Sequence, residues 1–275
     1  MIPAQFDYEA PSSLDEVLRI LGEHGDAKLL AGGHSLIPLM KLRLALPSLL
    51  VDLRRVQELR GIRRENGSLV IGGMTTHAEV ARSADVASMA PALAQAARQI
   101  GDRQVRARGT IGGSVAHNDP AADLPAVMLA LDASFALRSA SGRRVVPASE
   151  LFTGMLETAV RPDEVLTDVR IPAAPRSAYA KFANPASHYA IVGVAAAVDG
   201  QGGRIGVTGA APVAFRATEA ENALRGRSLT AEVISEAAAR AYDGRDLLGD
   251  IHASAEYRAA LIGVLTRRAL ESIAF

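Results

Sequence analysis

Two short glycine-centred runs are the residues most able to do chemistry. Ala31-Gly32-Gly33-His34-Ser35 follows an apolar stretch, and Thr110-Ile111-Gly112-Gly113-Ser114 repeats the glycine pair with a hydroxyl on either side. Paired glycines let backbone N–H groups turn inward and approach a phosphate closely, and a helix beginning just after them adds a favourable dipole. One such pair is equally an ordinary tight turn. Neither run has the Gly-Lys-Ser/Thr ending of a Walker loop or the spaced three-glycine fingerprint of a Rossmann turn. Two runs together fit a pyrophosphate, which takes donors from more than one side. After the second run come Asp119 and Asp123, carboxylates able to accept from ribose hydroxyls, although Asp119 before Pro120 reads first as an Asx-Pro turn. Gly72-Gly73 reads as a bend and Gly202-Gly203 as a hairpin turn, with no ligand assigned to either.

Other chemistries lack their residues. The chain has no cysteine, which excludes disulfides, thiolate metal sites, catalytic thiols and a cysteine-ligated iron–sulfur cluster within it. Its histidines, at 24, 34, 77, 117, 188 and 252, show no i, i+4 pair and no His-Glu-x-x-His, so no metal site is expected. There is no Gly-x-Ser-x-Gly elbow, and Ser35 has no evident base in sequence. No catalytic residue is assigned.

The elements that must position the two runs are legible in outline. Leu14, Val17, Leu18 and Leu21 recur at helical spacing behind Ser13 and Glu16, a capping-box pair. Ala27–Ala31 and Leu49–Leu53 read as strands joined through a Leu-rich helical segment reaching Leu46, a parallel βαβ-like arrangement. A strand over Leu69–Ile71 leads to a helix opened by Thr76 with Glu79, and a second helix is expected over Val86–Ile100. Beyond Gly112-Gly113 the chain reads as β structure, at Ser134–Arg138, Arg143–Val146 and Val165–Ile171. Pro172-Ala-Ala-Pro175 is the expected linker. Strands follow at Ala178–Phe182, Tyr189–Val198 and Arg204–Gly209. A helical tail carries Tyr257, Leu261, Val264 and Leu265 on one stripe.

At 275 residues, 49% apolar and 22% charged, the chain has the composition of a globular protein of two or three packed units. Its 30 basic residues cancel its 30 acidic ones, which is not the footprint of a nucleic-acid binder. The longest apolar stretch, Tyr189 to Val198, falls far short of the roughly 20 residues of a spanning helix, and Met1–Glu9 has neither the charge nor the apolar core of a signal peptide. A cytoplasmic protein is expected.

Taken in order, Met1-Ile2-Pro3 with Phe6 and Tyr8, the run Ala31 to Pro38, Val51-Asp52-Leu53, Thr110 to Gly113, Asp119 to Pro125, and finally Asp250-Ile251 with Ser254 to Arg258 resemble the FAD-binding subunit of molybdenum hydroxylases. More narrowly, they are similar to the medium subunit of carbon-monoxide-dehydrogenase-type enzymes, relatives of the xanthine dehydrogenase flavin domain. The resemblance implies an α/β (α+β) chain. Residues 1–175 would form a two-part FAD-binding domain of the PCMH/vanillyl-alcohol-oxidase type, with lobes at about 1–56 and 57–175. Residues 176–275 would pair an antiparallel sheet with helices. It further implies that Ala31, Gly32, Gly33, His34 and Ser35, with Thr110, Ile111, Gly112, Gly113 and Ser114, hold the FAD pyrophosphate, and that Leu36 is cofactor-binding. Asp123 would bind the adenosine ribose, Leu166 would lie near the adenine, and Lys181 would contact the cofactor. Ile100, His117 and Tyr189 are candidates beside the isoalloxazine, with ordinary packing as the alternative.

Ser114 and Ala107 depart from the family pattern, which usually has Asn at both places, and serine donates with shorter reach. The resemblance also implies partners: a small subunit with two 2Fe–2S clusters and a large subunit with the molybdenum cofactor, in a dimer of heterotrimers. The missing cysteines agree with that division of labour and argue against the 4-hydroxybenzoyl-CoA reductase branch. The chain would then pass electrons from the iron–sulfur subunit through FAD to an acceptor such as NAD, a quinone or oxygen. The alternatives are a free-standing flavin oxidase or reductase and a non-catalytic scaffold of the same fold.

Overall fold

The computed structural model describes residues 2–274. Among the described residues it is a mixed α/β structure of three larger sheets in succession and one two-stranded sheet. The first is parallel and three-stranded, with β1 (Asp7–Glu9), α1 (Leu14–Glu23), β2 (Lys28–Leu30), α2 (Leu36–Lys41) and β3 (Leu49–Asp52), and β3 lies at its centre. Ser13 caps α1 by accepting from the Glu16 amide, while the Glu16 carboxylate reaches Ser12 N–H at 2.9 Å. The box expected there is therefore offset by one residue on its return half. The Leu-rich segment is helical only to Lys41, because Arg43 takes a left-handed conformation at φ 59°. Leu14, Val17, Leu18 and Leu21 pack on β3.

The second sheet is antiparallel, in the order β4-β5-β10-β6-β7. It opens with the hairpin β4 (Ile62–Glu65) and β5 (Ser68–Gly72), turning on Asn66 and Gly67 with both φ positive. Helices α3 (His77–Arg82), α4 (Ala84–Met89), α5 (Pro91–Gln99), α6 (Arg103–Arg108), α7 (Ile111–His117) and α8 (Asp123–Ala130) follow. Then come β6 (Ser134–Ser139), β7 (Gly142–Pro147), α9 (Ala148–Leu151), the small pair β8 (Phe152–Gly154) and β9 (Glu157–Thr158), and β10 (Val165–Pro172).

Three expectations are corrected in this region. The single helix over Val86–Ile100 is two helices, because Ala90 breaks from helical geometry and Pro91 starts α5; proline has no N–H to continue the first one. Gly112-Gly113 belongs to a helix, not to the approach to a strand. Finally, α8 was not read at all: every one of its residues is buried, so it carries no polar face to set a helical period.

The third sheet is antiparallel, in the order β11 (Ser177–Ala183), β12 (Ala190–Asp199), β13 (Gly202–Thr208) and β14 (Phe215–Arg216). Helices α10 (Thr218–Leu224), α11 (Ala231–Arg240) and α12 (Ala255–Ala274) follow. β12 explains its own apolar run, since it is covered on both faces. Val192, Val194, Ala196 and Val198 join the core under α10–α12, and Ala195 and Ala197 join the core of the preceding helices. The second cover is α5 and α8. On α12 the expected stripe is rotated: Leu261 and Leu265 are buried with Arg258, Ile262, Ala269 and Leu270, whereas Tyr257 and Val264 are exposed.

Arg258 ties α12 to this sheet at the strand ends that also bond the segment before α8. Its Nη1 donates to the carbonyls of Ile191 and Gly209 at 2.6 Å each, and its Nη2 donates to Asp250 at 2.7 Å. The amides of Ala190 and Gly209 in turn donate to Ala121 and Pro120. Replacing Arg258 with methionine is expected to destabilise the chain by about 2 kcal/mol, the cost of orphaning two buried carbonyls less the gain from methionine packing, as read by urea denaturation.

Candidate functional site

The two glycine runs meet across one wall of a cavity of about 880 Å³. They are brought together by backbone crossings that only glycine permits. A Cβ on Gly32 would overlap the Arg108 carbonyl and lie 2.8 Å from the Gly109 Cα, and one on Gly112 would lie 2.7 Å from the Gly73 carbonyl oxygen. Gly73 itself approaches the Leu166 carbonyl too closely for a side chain, at the place where β10 slips register between Leu166 and Asp168. That irregularity leaves Thr167 C=O to accept from Gly73 N–H at 2.8 Å, and a bulge of this kind re-aims the neighbouring side chain. Leu166 lines the cavity.

The two runs do different work. In the second, Thr110 caps α7 by accepting from the Gly113 amide, and the amides of Ile111, Gly112 and Ser114 are spent on Thr75, Gly73 and Thr110. Its glycines serve close packing more than inward-turned amides. In the first, among the described residues, no acceptor is found for the amides of Gly32, Gly33, His34 and Ser35, Gly33 sits at φ +76°, and the Ser35 hydroxyl makes no cap bond to α2. These are unspent donors on a cavity wall, the arrangement an anionic oxygen needs.

Ala31, Gly32, Gly33, His34, Ser35, Leu36, Ile100, Thr110, Gly112, Gly113, Ser114, His117, Asp123, Leu166 and Tyr189 all line this cavity. Ile111 does not: its side chain is fully buried in the core of the second region. Lys181 stands behind the wall, with its ammonium 2.7 Å from Asp123 and 3.2 Å from the Gln99 carbonyl. Asp123 also accepts from Tyr179 Oη at 2.5 Å. Burial pushes the Asp123 carboxyl up and the Lys181 ammonium pulls it back, while burial beside Asp123 keeps the Tyr179 phenol protonated. Asp119 forms the expected Asx turn, accepting from Ala121 N–H at 2.8 Å. Ala107 is exposed on α6, away from the cavity.

Several lining residues had no signal in the sequence. Gly73 was read as a bend without a ligand, yet it lines the cavity. Leu156, Val160, Arg161 and Glu164 arrive from far along the chain. Asn118 anchors the β8–β9 turn that carries Leu156, its side-chain amide donating to Gly154 and Glu157 carbonyls at 2.8 and 2.9 Å. An asparagine in left-handed conformation, φ 48°, closes α7 here, which is a recognisable helix end.

His77 is another lining residue that was not foreseen. It is 4% exposed, and burial, with His34 and Arg106 nearby, lowers its pKa from 6.5 to about 4. The folded chain thus holds a neutral imidazole that the unfolded chain protonates first. Stability conferred by that difference is full above pH 6.5 and is lost as pH falls towards 4. The expected loss over this window is about 3 kcal/mol. Urea midpoints at pH 7, 5.5 and 4.5 check it, with His77→Gln expected to flatten that part of the profile.

The fold and cavity define a dinucleotide-binding chain whose polar wall is mostly backbone. The chain belongs to the family of the FAD-binding domain in molybdopterin dehydrogenase, which matches residues 4–174, and residues 177–273 match the CO dehydrogenase flavoprotein C-terminal domain. It is 41% identical over 281 residues to the carbon monoxide dehydrogenase medium chain of Hydrogenophaga pseudoflava, covering 99% of this chain and 98% of that one. It is also 41% identical over 280 residues to the 6-hydroxypseudooxynicotine dehydrogenase complex subunit alpha of Paenarthrobacter nicotinovorans, covering 98% and 95%. In three dimensions it superposes on a solved carbon monoxide dehydrogenase from Hydrogenophaga pseudoflava lacking the Mo-pyranopterin moiety, with a TM-score of 0.94 at 43% identity over 99% of this chain and 98% of that one. Among the described residues, no helix is long and apolar enough to cross a membrane.

Proposed function

We propose that this chain is the FAD-binding electron-transfer subunit of a molybdenum hydroxylase, taking electrons from an iron–sulfur subunit and delivering them to a separate acceptor. The observation that carries it is the set of unspent amides at Gly32–Ser35, packed beside the second glycine run on the wall of a cavity of about 880 Å³. When bound, FAD supplies the one- and two-electron chemistry. The protein's own part is to bind, orient and shield. The amides of Gly32, Gly33, His34 and Ser35 and the hydroxyl of Ser35 are the donors for the pyrophosphate, with Thr110 to Ser114 forming the opposite rim.

Asp123 takes the adenosine ribose with its free acceptor capacity and is fixed in place by Lys181 and Tyr179. Lys181 therefore acts through Asp123. Leu166 meets the adenine, and Ile100, His117 and Tyr189 wall the isoalloxazine. Ile111 contributes through its backbone, since its side chain fills the core. Residues 1–175 are the flavin domain, with lobes at about 1–56 and 57–175, and residues 176–275 the C-terminal domain. Ser114 reaches a shorter distance than the family's usual Asn, which leaves room for a bridging water.

The partners are a small subunit with two 2Fe–2S clusters and a large subunit with the molybdenum cofactor, in a cytoplasmic dimer of heterotrimers. The relatives' names span carbon monoxide and 6-hydroxypseudooxynicotine, in keeping with substrate choice residing in another subunit. Purification of the tagged chain from its own host tests this reading, by absorbance spectrum, metal analysis and identification of associated chains. Flavin with iron, molybdenum and two partner chains is the expected result. Flavin without any partner would replace it with a free-standing flavoenzyme.

A further inference from the structure

His77 is placed where the two glycine runs cross. Its backbone N–H donates to the Gly109 carbonyl at 2.9 Å. Its ring lies against the Gly109 Cα, where a Cβ would come 2.8 Å from Cδ2 and 3.0 Å from Nε2. Gly109 in turn is the residue that a Cβ on Gly32 would strike. The ring lines the cavity, is almost wholly buried, and its Nδ1 has no hydrogen-bond partner.

A neutral imidazole has one donor nitrogen and one acceptor nitrogen. Nδ1 is buried without a partner, so the nitrogen left to meet a ligand is Nε2, on the side of Gly109, the residue over which Gly32 crosses. A wall of donors calls for an acceptor-rich, anionic ligand, and an Nε2–H adds one more donor to it without adding a charge. We infer that His77 is a binding residue of the site that nothing in the sequence marks, a neutral Nε2–H donor to the diphosphate of the bound dinucleotide. The inference rests on the flavin reading above. It also gives Gly109 a purpose: a side chain there would displace the ring.

Titrating FAD, and separately ADP as a diphosphate without flavin, into the full chain tests it, with urea denaturation as the control for folding. His77→Leu is expected to bind both probes at least about tenfold more weakly, the loss of one hydrogen bond to a charged group. His77→Gln, whose amide nitrogen can stand where Nε2 stood, is expected to stay within about threefold of the native chain, and Gly109→Ala to follow His77→Leu. Leucine binding both probes like the native chain would overturn the inference, as would glutamine falling as far as leucine, since packing alone would then account for His77. A native chain that binds neither probe would overturn the flavin reading itself, and the inference with it.

Discussion

Replacing Gly113 with valine is expected to leave a folded chain that no longer retains FAD. A Cβ at this position would lie 2.8 Å from Thr110 Oγ1 and 3.4 Å from Ala31 Cβ. The first is a side-chain contact within a cap and the second is a contact between the two runs, so valine drives them apart at the rim without striking buried backbone. That distinguishes Gly113 from Gly112, where the obstruction is the Gly73 main chain and substitution threatens the fold as well. On the proposed site, where both runs meet one diphosphate, the expected affinity loss is about a thousandfold, or about 4 kcal/mol. Flavin fluorescence titration measures it, and an unchanged urea midpoint shows that the loss is local. Retention of stoichiometric flavin by the variant would refute the two-run site.

The second large effect is expected at Lys181. Both it and Asp123 are buried at the side chain, 2.7 Å apart, and the attraction between them offsets a desolvation cost that neither could meet alone. Lys181→Met strands the carboxylate with only Tyr179 Oη as a close donor, and the expected cost is about 3–5 kcal/mol. Burial, already the largest influence on Asp123, then acts without its main opponent. The folded carboxyl binds a proton more readily than the unfolded one, so the variant gains stability as pH falls towards the unfolded value of about 3.9. The double variant Lys181→Met with Asp123→Leu is expected to recover part of the stability, because two apolar groups replace the pair while the buried Tyr179 hydroxyl loses its acceptor, and, on the proposed ribose role of Asp123, to bind FAD weakly. Equal midpoints for the single and double variants would show that the pair is not the source of the cost.

How far the sequence carried can be read from particular elements. The parallel unit built on Ala27–Ala31 and Leu49–Leu53, and the Thr76–Glu79 cap, were legible because local chemistry decides them. The capping box of Thr76 is complete in the structure, with Glu79 returning to the Thr76 amide at 2.7 Å. The strand Ile62–Glu65 was overlooked although Asn66-Gly67 is a strong hairpin signal; its alternation is blurred by two consecutive arginines, Arg63 and Arg64. α8 was hidden by its complete burial, and the break at Pro91 was within reach of the sequence but passed over. At the cavity, the glycine runs stood out because their spacing is local. His77, Arg161 and Glu164 did not, since what gathers them is the pairing of Thr76 and His77 with Thr110 and Gly109 and the packing of β10 on α7, and no short-range pattern records it.

The crossings at Gly32, Gly73 and Gly112, each obstructed by main chain, set what a mutational survey of this protein can detect. An alanine scan that shortens side chains would pass over these positions, because there is no side chain to remove and the wall is made of main chain. Scanning in the opposite sense, by adding a methyl group to each glycine in turn, would map the cradle directly. The same asymmetry bears on how such a site can change over generations. The crossing itself has no compensating neighbour to alter, because the obstacle to any new side chain is a carbonyl or Cα that every amino acid possesses.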